Sequence, residues 1–356
     1  MPLFSGEQLI LCRDDSVGLR AAISIDDTTL GPAVGGIRLR RYPDDIAALT
    51  EVHRLAATMT LKNAVAELPY GGAKSVIIQQ SERPTGAART RLMRRFGDFV
   101  ARTCGAYIPG VDMGTGVEDL ALIGEAGGTV SCDERDPSPM TAIGVASAVR
   151  AAIQHVDKRT DIEGVRVLIQ GVGHVGAALA RDLASDGACV IVTDIDDARA
   201  AELASEFGGS YVPTEVALET SCDVFAPCAI ARVVSEDTLA RFNCRIITGA
   251  ANDTLADAWL ADGLAARGIT YVPDFVANAG GVIHIHAIRE GWNDVVLQQA
   301  LLRIGDRVAE ILEEADATGA TPLAVAELRA RRIISAAAAA RTDGVRPSGH
   351  QEPLAA

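Results

Sequence analysis

The sequence predicts an α/β protein of two domains, an N-terminal α/β domain and a second domain built on a doubly wound parallel sheet, with a cleft between them. Three observations predict it. From Val165 onward, apolar runs of strand length (VRVLIQ, CVIVTD, CDVFAP, CRIITGA, ITYVPD) alternate with amphipathic helical stretches, the grammar of a parallel sheet wound with helices. The first run leads directly into GVGHVG. Upstream, a polar, proline-containing break, DERDPSPM at 133–140, separates this half from a stretch with different patterning.

Within Glu7–Arg40, the runs QLILC, LRAAISI and GIRLR read as strands. Residues 43–60 place Ile46, Leu49, Val52, Leu55 and Ala56 on one helical face. LPYGGAK breaks that pattern, SVII reads as a short buried strand, and a helix covers about 85–103. Past Asn278, Leu297, Leu301, Ile304, Val308 and Ile311 stripe a long helix, and a last helix runs from about 322. The expected domains are 1–134 and 135–321, with the helix of about 322–345 packing back on the first and 342–356 lacking order.

Composition narrows the function. At 356 residues with 48% apolar and 22% charged side chains, the chain can bury two cores. A net charge of -14 disfavours nucleic acid and anionic membrane surfaces as partners. No apolar run reaches the length of a membrane span, and the first residues lack the basic and apolar regions of a signal peptide. Seven cysteines (12, 104, 132, 189, 222, 228, 244) include no CxxC pair, which fits reduced thiols in a cytoplasmic protein. No metal is expected, because His284 and His286 have no second cluster to complete a shell; they read as structural or pocket-lining. Of 33 basic residues only three are lysines, Lys62, Lys74 and Lys158. Two of them lie twelve positions apart near glycines, where a compact, tunable ammonium differs most from arginine.

GVGHVG follows a strand and opens a helix, and the next strand ends in Asp194. That is the spacing of a Rossmann dinucleotide site. Gly171 allows the tight turn, Gly173 the approach of the pyrophosphate, and Gly176 the close packing of helix on strand. Asp194 suits ribose hydroxyls and repels a 2′-phosphate, and no arginine follows it immediately, so NAD is expected rather than NADP.

The motifs DTTLGPAVGGIRL, MTLKNAVAELPYGGAKSVI, YIPGVDMGT and TAIGV, followed by DVFAPCAI, TGAAND and YVPDFVANAGGVI, resemble in content and order the Glu/Leu/Phe/Val amino acid dehydrogenase family over about residues 5–340. The phenylalanine and leucine branch is the most similar. The resemblance implies that Lys62 binds the substrate α-carboxylate, Lys74 is the catalytic lysine, and Asp112 exchanges protons with the amine. It also implies that Gly36 approaches the substrate through its backbone and that Asn252 bridges substrate and cofactor. Thr141 would bond the nicotinamide carboxamide, and His174, Val175, Ala229 and Asn278 would complete the cofactor contacts. It further implies an amino acid and a 2-oxo acid with ammonia as ligands, and a homo-oligomer built through the first domain.

The chemistry agrees. Oxidising an amino acid needs a cation for its carboxylate, a base for its amine and water, and a hydride acceptor. A second ammonium nearby, together with burial, is expected to lower the proton affinity of Lys74. Each residue also has a plainer reading: Lys62 as a helix-terminating cation, Lys74 as a solvated strand-edge lysine, Asp112 as a turn residue, Asn252 as a cap. Val34 and Ile285 stand where glutamate enzymes carry a lysine and a serine for the γ-carboxylate, so glutamate is disfavoured. The resemblance gives Val34, Gly110, Val282 and Ile285 as the side-chain pocket and leaves phenylalanine and branched-chain substrates open. Met113 and Asp253 depart from the leucine-type pattern. The alternatives are a glutamate or tryptophan dehydrogenase of the same family, a non-catalytic amino acid or NAD sensor, and another two-domain Rossmann enzyme.

Overall fold

The computed structural model describes residues 6–80, 82–131 and 136–342. The boundary expected at 134/135, Cys132 and residues 343–356 of the tail lie outside the described residues. Two compact units divide the rest. Residues 136–328 form one, and the described residues before 136 with those from 329 onward form the other.

The first unit is a mixed sheet with helices on both faces. Its elements are β1 (Gln8–Asp14), β2 (Leu19–Asp27), β3 (Ala33–Arg40), α1 (Asp45–Val65), β4 (Gly71–Ile78), α2 (Gly86–Ala101), β5 (Tyr107–Val111) and α3 (Val117–Glu125). The strand order is β1-β2-β4-β3-β5. β1 pairs antiparallel with β2 and β2 with β4, while β3 lies parallel to both β4 and β5. One face packs Ile23, Ile25, Ile37, Ala73 and Ile77 with Met93 and Phe96 of α2 and Leu120 and Ile123 of α3. On the other face, Ala22 and Val76 meet Ala48 and Val52 of α1.

β4 starts at Gly71, four residues earlier than the sequence reading, which placed GGAK in a break. The reason is close packing. A Cβ on Gly71 would lie 1.8 Å from the Asp27 carbonyl oxygen, and one on Gly72 would lie 2.1 Å from the Thr60 nitrogen. The two glycines are strand residues that let neighbouring backbones touch.

The second unit starts with α4 (Ser138–Asp157) and continues β6 (Arg166–Gln170), α5 (His174–Ser185), β7 (Cys189–Thr193), α6 (Asp197–Glu206), β8 (Ser210–Tyr211), β9 (Val224–Pro227), α7 (Glu236–Leu239), β10 (Ile246–Ile247), α8 (Leu260–Ala266), β11 (Thr270–Tyr271), α9 (Asp274–Ala277), α10 (Gly280–Arg289) and α11 (Asp294–Thr318). α12 (Pro322–Thr342) begins in this unit and passes into the first at residue 329. All pairings are parallel and the order is β11-β10-β9-β6-β7-β8. Numbered from β6, this is the Rossmann order 3-2-1-4-5-6, with its reversal between β6 and β9. The two-residue strand β8 was not read from the sequence; its length gives no periodicity to read.

The predicted stripe of α11 is buried, from Leu297 to Ile311. It lies against α4 across glycines: a Cβ on Gly305 would come 2.5 Å from Ser147 Oγ, and one on Gly144 2.5 Å from Ile304 Cδ1. Ser147 Oγ donates to the Leu302 carbonyl at 2.8 Å and accepts from Gly305 N at 3.2 Å. Among the described residues, no helix is long and apolar enough to cross a membrane.

Gly305→Val should therefore overpack this helix pair at a cost of about 1–3 kcal/mol. A melting temperature lowered by several degrees is expected by calorimetry, and an unchanged one would contradict the packing.

Candidate active site

In the first unit, the site grows from the end of α1 and the start of β4. Asp44 caps α1 by accepting from Ala47 N at 2.7 Å, and the helix runs on until Lys62 stands buried in its last turn. Thr60 of that turn packs on Gly72, two residues before Lys74. Lys62 does occupy a helix-ending position, as its plainer reading held, yet a lysine in water would not be buried to this extent. Lys74 is not a strand-edge residue: β4 lies between β2 and β3, and the side chain is 7% exposed.

Register places the next residues. Ser24 of β2 is opposite Lys74, the β3–β4 pairing of Val34 with Gly72 and Ile37 with Ser75 sets Gly36 beside Lys74, and Gly36 is opposite Gly110 of β5. Lys74, Gly36 and Gly110 thus form one row on the α1 face. The two glycines make a bare floor beside the lysine. A Cβ on Gly36 would lie 2.8 Å from Asp112 Cβ and 3.2 Å from Lys74 Nζ.

Asp112 follows β5 and closes the row. Its Oδ2 accepts from Lys74 Nζ at 3.0 Å and from Arg38 Nε at 2.8 Å. Arg38 is itself held by Glu51 of α1 at 2.5 Å. Burial raises the proton affinity of the Asp112 carboxyl. The charges of Lys74 and then Arg38, with their hydrogen bonds, outweigh that and hold it well below the usual carboxylate range. The loop is anchored as well. Asp112 N donates to Thr115 Oγ1 at 3.0 Å, and that hydroxyl donates to the Ile37 carbonyl at 2.8 Å. Asp112 is a turn residue too, but a turn alone does not need two cations.

The remaining pocket candidates fall in two places. Val34 and Gly110 are buried in the first unit. A Cβ on Gly110 would come 3.0 Å from Ser131 Oγ, a buried hydroxyl that donates to the Pro109 carbonyl at 2.9 Å. In the second unit, Val282 and Ile285 sit three apart on α10 and are half-buried, while Ile283, His284, His286 and Ala287 face the core. His286 stacks edge-on against Trp292 at 5.0 Å, and burial lowers its proton affinity.

The glycine-rich turn lies at the reversal of the parallel sheet. Gly171 has φ +95°, and a Cβ there would come 2.4 Å from Ala229 Cβ, two residues past β9. A Cβ on Gly176 would lie 1.9 Å from the Gly171 carbonyl oxygen, whereas one on Gly173 meets nothing within 4 Å. The two outer glycines serve packing and the middle one leaves the backbone approachable, as phosphate binding at a helix start requires. His174 and Val175 begin α5, and His174 Nδ1 lies 3.1 Å from Asp136 Oδ2.

Asp194 Oδ2 accepts from Val172 N at 2.8 Å, and its Oδ1 accepts from Asp196 N at 3.0 Å and Arg199 at 2.7 Å. Burial alone would protonate it more readily, but these donors hold it below its ordinary value, as an anion. Arg199 is the arginine that a reading of immediate neighbours missed: the first turn of α6 brings it back. Further along, Asn278 Nδ2 donates to Asn252 Oδ1 at 2.9 Å and to the Ala250 carbonyl at 3.1 Å. Asn278 Oδ1, Gln170 Oε1 and Thr248 Oγ1 are buried without a protein partner, as acceptors awaiting a ligand would be. Thr141 Oγ1 donates to the Pro137 carbonyl at 3.2 Å and lies 3.2 Å from where a Cβ of Gly281 would stand. These features fit a dinucleotide. Asp253, one of the departures from pattern, has φ +61°, a conformation that Asp and Asn adopt more readily than most residues. No group of three potential metal ligands occurs among the described residues.

The structure thus assembles Lys74, Gly36, Gly110 and Asp112 in one row, and Gly171, Gly173, Gly176, Asp194 and Ala229 around one turn. Arg38, Glu51, Ser131 and Arg199 were not singled out from the sequence. GGIRL carried the Arg38 signal, since alternation along β3 puts it on the face of Gly36.

The class of protein is an amino acid dehydrogenase, as comparison with known proteins shows. The dimerisation-domain model of the Glu/Leu/Phe/Val dehydrogenases matches residues 10–129, and the Glutamate/Leucine/Phenylalanine/Valine dehydrogenase model matches 134–201 and 193–287. The chain is 37% identical to leucine dehydrogenase of Thermoactinomyces intermedius over 325 residues, covering 90% of this chain and 88% of that one. It is 35% identical to L-tryptophan dehydrogenase of Nostoc punctiforme, covering 88% and 89%. The crystal structure of L-tryptophan dehydrogenase from Nostoc punctiforme superposes with a TM-score of 0.79 at 32% identity, covering 94% and 97%. This chain belongs to the Glu/Leu/Phe/Val dehydrogenase family.

Gly36→Ala should push Asp112 and Lys74 apart and reduce kcat/KM by about 10- to 100-fold while leaving dinucleotide binding intact. Wild-type turnover would remove Gly36 from the floor. Asp112 has a lower proton affinity in the fold than its unfolded value of about 3.9. Its stabilisation is therefore complete above that value and lost as pH falls below it. The stability difference between wild type and Asp112→Asn should stay constant above about pH 5 and shrink in acid, as denaturant unfolding across pH would show.

Proposed function

We propose that the chain catalyses the reversible, NAD-dependent oxidative deamination of an apolar L-amino acid, phenylalanine or a branched-chain one, to the 2-oxo acid, ammonia and NADH. The observation that carries this reading is the Lys74–Asp112 pair beside the Gly36–Gly110 floor.

Lys62 pairs with the α-carboxylate. The amine lies toward Asp112, whose carboxylate relays its proton. NAD, when bound, accepts the hydride from the α-carbon. Lys74 then acts on the iminium: an O–H bond of water breaks, the proton passes to Nζ, and the oxygen bonds to the α-carbon. Collapse of the carbinolamine releases ammonia and leaves the 2-oxo acid. Asn252 and Asn278, already bonded to each other, and Thr141 are the residues proposed to orient the nicotinamide end. Gly171, Gly173, His174, Val175, Gly176 and Ala229 cradle the pyrophosphate, and Asp194 accepts from the ribose hydroxyls. Asp194 at the end of β7 supports NAD over NADP, with Arg199 paired to that carboxylate at 2.7 Å.

Val34 in place of a cation supports an apolar side chain over glutamate, with Gly110, Val282 and Ile285 as the other walls. Tryptophan is the second reading. The Ser131 hydroxyl beside Gly110 has lone pairs to accept an indole N–H, and a relative bears that name. A homo-oligomer is also proposed: the matched family model is named for dimerisation, and edge strand β1 leaves Leu11 exposed. The dispersed cysteines support a cytoplasmic location.

NAD reduction at alkaline pH is expected with at least one of phenylalanine, leucine, isoleucine, valine or tryptophan, and poorly with glutamate. No absorbance gain with any of them would overturn the proposal. Lys74→Ala should lose turnover and still bind NADH.

A further inference from the structure

The Lys74–Asp112 pair poses a problem of charge. To act as a base, Lys74 must at some point be neutral. Its partner Asp112 is then a mostly buried carboxylate that has lost one of its two cations, and a buried charge left alone would be costly. The fold supplies a second cation at the same oxygen. Arg38 Nε lies 2.8 Å from Asp112 Oδ2, the atom that Lys74 also contacts, and its other arm reaches Oδ1 at 3.5 Å. Both side chains are largely enclosed, at 11% and 18% exposure. Arginine does not lose its proton in proteins, so this charge is present whatever the state of Lys74. Glu51 fixes the guanidinium from α1, and Arg40 stands 3.8 Å behind Glu51.

We propose that Arg38, held by Glu51, is a positioning residue for the reaction: it keeps the Asp112 charge compensated while Lys74 is neutral, and so assigns the base role to Lys74. This rests on the reading of Lys74 as the base. Arg38 acts through Asp112 and is not placed on the substrate. The elements packed around the pair carry Glu51, His53 and Lys62 (α1), Asp26 (β2), Arg40 (β3) and Tyr107 (β5); Glu51 and Arg40 lie behind Arg38, and Tyr107 packs on the opposite face of the sheet. Of these, Tyr107 is committed to Ser75 at 2.8 Å and to the Gly35 carbonyl at 3.0 Å. Asp26 accepts from Thr60 at 2.6 Å. None of them replaces Arg38 at Oδ2.

The test is the pH profile of kcat/KM at saturating NAD. In Arg38→Gln, Asp112 has only Lys74 to answer it, so Lys74 keeps its proton to higher pH. The acid limb should move up by about one pH unit. The loss should be about tenfold below the limb and should recover on the alkaline plateau. A uniform loss at every pH, or an unmoved limb, would overturn the proposal, because a purely structural role predicts that outcome. Arg38→Lys keeps the charge and should bring the limb back toward its wild-type position; a limb displaced as far as that of Arg38→Gln would count against charge compensation. Arg38→Met, which also removes the charge, carries the same test if Arg38→Gln does not fold. NADH binding and thermal melting of each variant separate folding from chemistry. Lys74→Met separates the underlying reading: if it still turns over, the base assignment fails, whereas a dead Lys74→Met with an unmoved Arg38→Gln limb rejects the role of Arg38 alone.

Discussion

A buried carboxylate held between two cations organises the first unit. Asp112 contacts Lys74 from β4 and Arg38 from β3, and Arg38 reaches on to Glu51 of α1. Three segments distant in sequence meet at one oxygen, and a fourth holds the arginine from behind. Each charge is tolerable only because the others are there, since removing one member leaves its neighbour buried and unpaired. The glycines around the cluster follow from it. Residue 36 can carry no side chain because Lys74 and Asp112 close over it, and residue 72 can carry none because Thr60 at the end of α1 lies against it.

The second unit depends on backbone economy instead. Gly171, Gly176 and Ala229 bring β6, α5 and β9 together at the point where strand order reverses. The amide groups there stay approachable because Gly173 adds nothing to the surface. Asp194 ties the end of β7 to this turn through Val172 N, so the carboxylate suited to a ribose also fixes the loop suited to a pyrophosphate.

Much of this was legible in the residues. The alternation of apolar runs, the spacing of GVGHVG to Asp194, and the rarity of lysine pointed to the fold class and to the side chains that the structure places at its two sites. The parts that were not legible share a cause. Arg38, Glu51, Ser131 and Arg199 are ordinary polar residues until a register or a helical turn brings them to a partner far away or on a neighbouring strand. GGAK read as a break because glycine is a poor strand former in isolation. Tight packing across Gly71 and Gly72 overrides that preference. β8 was missed because two residues have no period.

The scarcity of lysine has one more consequence. Lys62 and Lys74 are enclosed, while Lys158 is exposed at the left-handed end of α4. Among the lysines, an acylating surface or dye therefore finds a single accessible attachment point, on the second unit. The same economy that reserves ammonium groups for chemistry gives the molecule a built-in handle, so that molecules tethered through a lysine side chain would all face the same way.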